Sequence, residues 1–186
     1  SDMLKKADII SLSTTLATNA CVENKGGRAK LLFIGVNKDV VADVGGNYGL
    51  SNLEDIYFLD CKCTYDGDIL QEPDWNSFFS ISDNLLRDAD GIGIVGIYAM
   101  KNNAMLEKKA RKLISDKYGI PVICGYELFS DLNSMQRGSS TLLNARLIPV
   151  IADFLKAIKI SLEKKNITAP VVIVRSDGSL MSESFT

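Results

Sequence analysis

The run from Ile92 to Met100, IGIVGIYAM, carries no charged residue, and it restricts the fold more than any other part of the chain. A strand that is apolar on both sides has to be covered on both faces, which is the situation of a central strand in a largely parallel sheet. The segment after it has the make-up of a crossover helix. Leu106, Ala110, Leu113 and Ile114 recur at helical spacing, Asn103 stands where a cap is expected, and Tyr118-Gly119 ends the helix ahead of Pro121. Val122 to Gly125 then reads as the next strand. This alternation predicts an α/β fold, a mostly parallel sheet with helices on both faces.

The flanking segments extend the pattern. Ala7 to Leu12 and Lys30 to Val36 read as strands, and Leu16, Ala17, Ala20, Cys21 and Val22 as the buried side of a short helix between them. Asp39 to Val44 fits either an extended or a helical piece, followed by a flexible Gly45-Gly46-Asn47-Tyr48-Gly49. Ile56 to Tyr65 reads as one strand, with Asp66-Gly67 turning a small β-hairpin into Asp68 to Gln71. Pro73-Asp74-Trp75 opens a helix to about Leu86. Near the C-terminus, Leu147, Ile151, Phe154, Leu155, Ile158 and Leu162 form one buried stripe, started or kinked by Pro149. Val171 to Arg175 is the last strand. With 186 residues the chain is expected to be a single α/β domain, residues 1–186.

Composition excludes several kinds of chemistry. The chain has no histidine, so it cannot build a Ser-His-Asp triad, a Cys-His pair or a histidine-bound metal, and proton transfer falls to carboxylates, Lys, Tyr or Cys. Lys plus Arg number 21 against 23 Asp plus Glu, and the net charge of −2 speaks against nucleic acid as a partner. The four cysteines are too scattered for a disulfide scaffold. Cys61-Lys-Cys63 is read as structural, two thiols on opposite faces of a strand, and no metal site is expected. No apolar run spans a bilayer and none resembles a signal peptide, so the expected location is cytoplasmic, with no membrane partner.

Three segments can carry chemistry. Ser13-Thr14-Thr15-Leu16-Ala17-Thr18-Asn19 places hydroxyl and backbone N–H donors at a strand-to-helix junction, and Glu23 comes one turn after Asn19. Arg137, ahead of the hydroxyls of Ser139, Ser140 and Thr141, suits a carboxylate or phosphate clamp at a helix start, with Asn144 beyond. Ser176-Asp177-Gly178-Ser179 lies past the carboxyl end of the last strand, where open α/β sheets bind ligands. A fourth, Asp43-Val44-Gly45-Gly46-Asn47, has the look of a D-x-G-G-T phosphate loop. It is rejected as one because no second strand comes after it.

Together these segments resemble the hydantoinase/oxoprolinase family. Ser13 to Gly26, S-T-T-L-A-T-N-A-C-V-E-N-K-G, is similar to that family's G-T-T-x-x-T-N-A-x-x-E-x-x-G. Arg137 to Ala145 with Pro149 is similar to R-x-S-T-x-x-N-A-x-x-x-P, with one extra residue before the threonine. Val171 to Ser182 is similar to a strand ending in Q-S-D/N-G-G-x-x-S. Ser13 and Ser179 each replace a family glycine.

The resemblance implies an actin-like ATPase (ribonuclease H-like) architecture and the ATP-dependent opening of a cyclic amide, such as a hydantoin or 5-oxoproline. It also implies that Mg²⁺ holds the nucleotide in the full-length parent. The family's two phosphate loops then fall upstream of residue 1 and beyond residue 186, so the chain is expected to be an internal segment of a larger protein, inactive and free of cofactor by itself. By matching position, Thr14, Thr15, Thr18, Asn19, Arg137, Thr141, Asn144, Ser176 and Gly178 border the nucleotide or substrate cleft, and Asp177 and Glu23 are the candidates for orienting water or touching metal. The remaining partners are the cyclic amide itself and the rest of the parent chain or a second subunit. The hydroxyl-rich turns near either terminus are expected to share one edge of the fold. Two other readings stay open, a non-catalytic interaction or scaffold domain and a flavodoxin-like or small-molecule sensor domain.

Overall fold

Separate sheets organise the two units into which the chain divides, residues 27–146 and the remainder, 1–26 with 147–186. The computed structural model describes residues 7–13, 15–23, 25–174 and 180–182.

The chain starts in the smaller unit with β1 (Ile10–Ser13) and α1 (Thr15–Val22). The larger unit then contributes β2 (Ala29–Ile34), α2 (Lys38–Val44), β3 (Ile56–Leu59), β4 (Lys62–Cys63), β5 (Ile69–Gln71), α3 (Trp75–Leu86), β6 (Gly91–Gly96), α4 (Met105–Tyr118), β7 (Val122–Cys124) and α5 (Gly125–Leu128). Helix α6 (Ser134–Lys164) has its residues to 146 in the larger unit and its later ones in the smaller, which β8 (Val171–Val174) and β9 (Leu180–Ser182) complete.

The larger unit's sheet has the order β3-β2-β6-β7, parallel throughout. Strand periodicity divides its side chains between two cores. Leu32, Ile34, Ile92 and Ile94 pack on one face with Phe78 and Leu86 of α3 and Leu106, Ala110 and Ile114 of α4. Leu31, Phe33 and Val95 pack on the other with Val41 of α2, Leu50, and Met135 and Leu142 of α6. As the apolar run requires, β6 is buried at every residue and lies inside the sheet. In the smaller unit β8 pairs in parallel with β1 and antiparallel with β9. The α/β class, the mostly parallel sheets and the small hairpin β4–β5 agree with the sequence reading.

Several details differ. Strand β6 stops at Gly96 rather than Met100, because both backbone groups of Gly96 are taken by side chains and Tyr98 turns left-handed at φ 50. Asn103 does not cap α4. It and Ala104 both have φ 55, the helix starts without a side-chain cap, and Asn103 Oδ1 instead accepts from Lys108 Nζ at 2.9 Å. Residues 56–65 are two strands, since β3 ends on β2 while β4 pairs with β5. The hairpin turn has three residues, Tyr65 to Gly67, with Gly67 at φ 94 and its N–H donating to Thr64 O. Asp39 to Val44 is helical, and Gly45 to Tyr48 continues it as a 3₁₀ turn rather than a flexible stretch. That local structure is no hairpin, in keeping with the rejection of a phosphate loop there. On α1 Ala20 is buried, but Val22 is 82 % exposed and Cys21 is exposed too.

Pro149 neither starts nor ends a helix, and lies inside the 31 residues of α6. The stripe around it is buried at Leu147 but only partly at Ile151, Phe154, Leu155, Ile158 and Leu162. The start of α6 is set by Asn133, whose Oδ1 accepts from Met135 N at 3.0 Å and Gln136 N at 3.2 Å. Asn133→Ala leaves both donors without that partner and is expected to destabilise the larger unit by about 1 kcal/mol, read from the urea unfolding midpoint.

Candidate functional site

In the smaller unit the register of β1 and β8 runs from Ile10 opposite Val171 to Ser13 opposite Val174. The strands are parallel, so their carboxyl ends lie side by side. Helix α1 begins at Thr15, directly after one of those ends, and has no acidic residue in its first turn. The first backbone N–H groups of a helix have no intrahelical partner and suit an anion. Thr18, Asn19 and Glu23 are exposed on α1 and the residue after it, and Glu23 Oε2 is paired with Lys25 Nζ at 2.5 Å. Thr14, Ser176, Asp177 and Gly178 lie outside the described residues.

Arg137, Thr141 and Asn144 sit in the larger unit on one face of α6, at i, i+4 and i+7. The expected clamp at a helix start is instead enclosed by protein, for Arg137 is 0 % exposed. The carboxylate it holds is the chain's own. Its Nη2 pairs with Glu107 Oε1, and its Nη1 donates to Gly96 O at 3.1 Å. Glu107, also 0 % exposed, accepts from Gly96 N at 2.9 Å through Oε1 and from Tyr126 N at 2.9 Å through Oε2. One buried ion pair therefore joins the end of β6, the start of α5, α4 and α6. Burial pushes the Glu107 carboxyl above its ordinary range, against the opposing pull of Arg137 and the two N–H donors. Thr141 is buried against Gly93, where an added Cβ would stand 2.8 Å from Thr141 Cγ2. Asn144 Nδ2 donates to Ser140 O at 2.8 Å within the helix.

A second pair braces the next turn. Arg111 Nη1 donates to Glu127 Oε1 at 2.7 Å, Arg111 Nη2 donates to Val122 O at 3.1 Å, and Glu127 Oε2 accepts from Cys124 N at 3.0 Å. Glu107 was missed in the sequence because it stands in a charged run, yet it lies three and seven residues before the buried Ala110 and Ile114. That spacing was the available signal.

Cys61 and Cys63 do not point to opposite faces. Their sulfurs are 3.7 Å apart, because residues i and i+2 of an extended chain share a face. Both are half-buried.

An ATP-dependent caprolactamase from Pseudomonas jessenii superposes on 96% of this chain with a TM-score of 0.81 at 19% identity, the match covering 28% of that chain. Acetone carboxylase in its nucleotide-free form superposes on 96% with a TM-score of 0.73 at 16% identity, covering 29% of that chain. An uncharacterized protein of Methanocaldococcus jannaschii is 24% identical over 127 residues, 68% of this chain and 19% of the relative. The chain thus spans about a fifth of that curated relative and under a third of either structure. At these identities the structural likeness establishes the fold, consistent with the actin-like one. Among the described residues no helix is long and apolar enough to cross a membrane. The model of the hydantoinase/oxoprolinase N-terminal region matches residues 2–118 and that of hydantoinase/oxoprolinase matches 137–186, so the chain belongs to the hydantoinase/oxoprolinase family.

Proposed function

We propose that the chain is a segment of an ATP-dependent cyclic-amide hydrolase, opening a hydantoin or 5-oxoproline ring, and that it contributes one wall of the nucleotide and substrate cleft. The observation that carries this is the match over 96% of the chain to an enzyme described as an ATP-dependent caprolactamase, together with family membership. Caprolactam is itself a cyclic amide, and the acetone carboxylase is likewise described as ATP-dependent.

An amide carbonyl resists water because nitrogen donates electron density into it. ATP, when bound, supplies a phosphoryl group for the lactam oxygen, which makes the ring carbon open to attack. The chain's own part is binding and orientation. The start of α1, free of acidic residues at the carboxyl end of β1, fits a phosphate group, with Thr14, Thr15, Thr18 and Asn19 as donors. Asp177 and Glu23 are assigned to orienting water or touching Mg²⁺, and Ser176 and Gly178 to binding nucleotide or substrate. The pairing of Ser13 with Val174 supports a common edge for these segments, because both strands deliver the chain to the same end of the sheet.

The test is ADP release by the full-length protein on a panel of hydantoin, 5-oxoproline and caprolactam. Release that depends on one of these rings is expected, with kcat falling about tenfold in Thr18→Ala and in Asp177→Ala, the loss of roughly one charge-assisted hydrogen bond each. ATP hydrolysis indifferent to every ring would overturn the reading, and near-wild-type rates in both variants would remove these sites. The scaffold reading has one observation in its favour. Arg137 spends its charge on Glu107 rather than on a ligand. A partner bound equally well with and without nucleotide would favour it.

A further inference from the structure

We propose that Cys61 and Cys63 form a reversible dithiol–disulfide couple, a modification site whose reactant is a low-molecular-weight disulfide such as oxidised glutathione. The pair lies just past the end of β3, outside every segment assigned to nucleotide or substrate, and stands independently of the proposed activity. The sulfurs are 3.7 Å apart, and a disulfide bond is about 2.05 Å long, so each needs to move by under an ångström. The backbone between Lys62 and Cys63 already departs from regular pairing. Among the described residues no group of three or more His, Cys, Asp or Glu is placed to hold a metal.

The surroundings order the steps. The Cys61 thiol is pushed up to about 12 by burial, reinforced by its contact with Cys63 and by Asp60, so Cys61 keeps its proton until a target is close. Attack therefore opens at Cys63. Its thiolate attacks one sulfur of R–S–S–R, that S–S bond breaks, and the departing RS⁻ takes up a proton. Cys61 then loses its proton and attacks Cys63 Sγ, forming the internal S–S bond and expelling the second RS⁻. In balance, two protein thiols and one RSSR become one protein disulfide and two RSH. The Cys61 sulfur rests where a side chain on Gly35 would begin, 2.6 Å from the position of an added Cβ. Drawing it toward Cys63 loosens the packing at Gly35, the residue directly after β2.

The chain carrying Cys21→Ser, which removes the exposed thiol, is held with excess oxidised glutathione at neutral pH, then alkylated and mapped by mass spectrometry. The expected result is loss of alkylation at Cys61 and Cys63 together, without added glutathione, the link mapping between them. Cys124, buried and also pushed up to about 12, stays a thiol. A further Cys61→Ser should stop the reaction at a glutathione adduct on Cys63. Full alkylation of both cysteines, or glutathione adducts that persist with both cysteines present, would overturn the proposal, and that first measurement needs neither cysteine of the pair replaced.

Discussion

Glu107→Ala is expected to destabilise the larger unit by about 3–5 kcal/mol, seen as an earlier urea midpoint with an unchanged slope. The loss is far beyond that of deleting a surface charge, because three groups lose their partner at once. Arg137 is left as an unpaired cation with no exposure, and the N–H groups of Gly96 and Tyr126 lose their acceptor. The control separates charge from packing. Glu107→Leu combined with Arg137→Met removes both charges at similar volume and should recover the part of the loss owed to the unpaired cation, with the Gly96 and Tyr126 N–H groups still lacking their acceptor. A Glu107→Ala protein as stable as the parent would show that the pair is open to water.

Gly138→Ala is expected to cost about 1–3 kcal/mol, although alanine is normally the better helix residue by about 1 kcal/mol. The first turns of α6 press onto β2 so closely that a Cβ at position 138 would overlap Phe33 Cζ. Phe33 is itself fully buried, its ring 6.0 Å from that of Phe58, and has no room to yield. Phe33→Leu in the same chain should return part of the loss, the coupling expected of residues in contact. Gly46→Ala is the comparison, because the nearest atom to its added Cβ is Ser51 Oγ at an ordinary 3.7 Å. That change should be neutral or stabilising in the same urea measurement, and a stabilising Gly138→Ala would refute the close contact.

Much of the fold was readable because it stems from side-chain periodicity. The apolar run at 92–100 fixed a central strand, and the spacing of Leu106, Ala110 and Ile114 fixed which face of α4 is buried. Boundaries were less readable where a distant residue sets them. Gly96 ends β6 because Glu107 and Arg137, 11 and 41 residues away, occupy its backbone groups. The stretch from Gln136 to Asn144, read as a helix start, lies within α6 for a similar reason. Its small and hydroxyl residues look like turn formers, yet Gly138 and Thr141 are small because the helix lies against the sheet.

The candidate site divides along the same line. Thr18 and Asn19 were placed by their neighbours in sequence, just after a strand-to-helix junction. Arg137 was also picked out, but its partner was not, since a guanidinium fits a ligand's carboxylate and the chain's own equally well. The cysteine pair was misread through its spacing, since residues i and i+2 of an extended chain share a face.

By itself the sequence determined the α/β class, the covered central strand, the hairpin, the family and the exclusion of histidine chemistry, all consequences of residue type and local spacing. Only the tertiary structure decided that Arg137 is bound to Glu107, that the ends of β1 and β8 adjoin, and which glycines make room for a helix. Those outcomes depend on pairings between residues far apart along the chain, whose free energy comes from burial and desolvation that no local stretch of sequence contains.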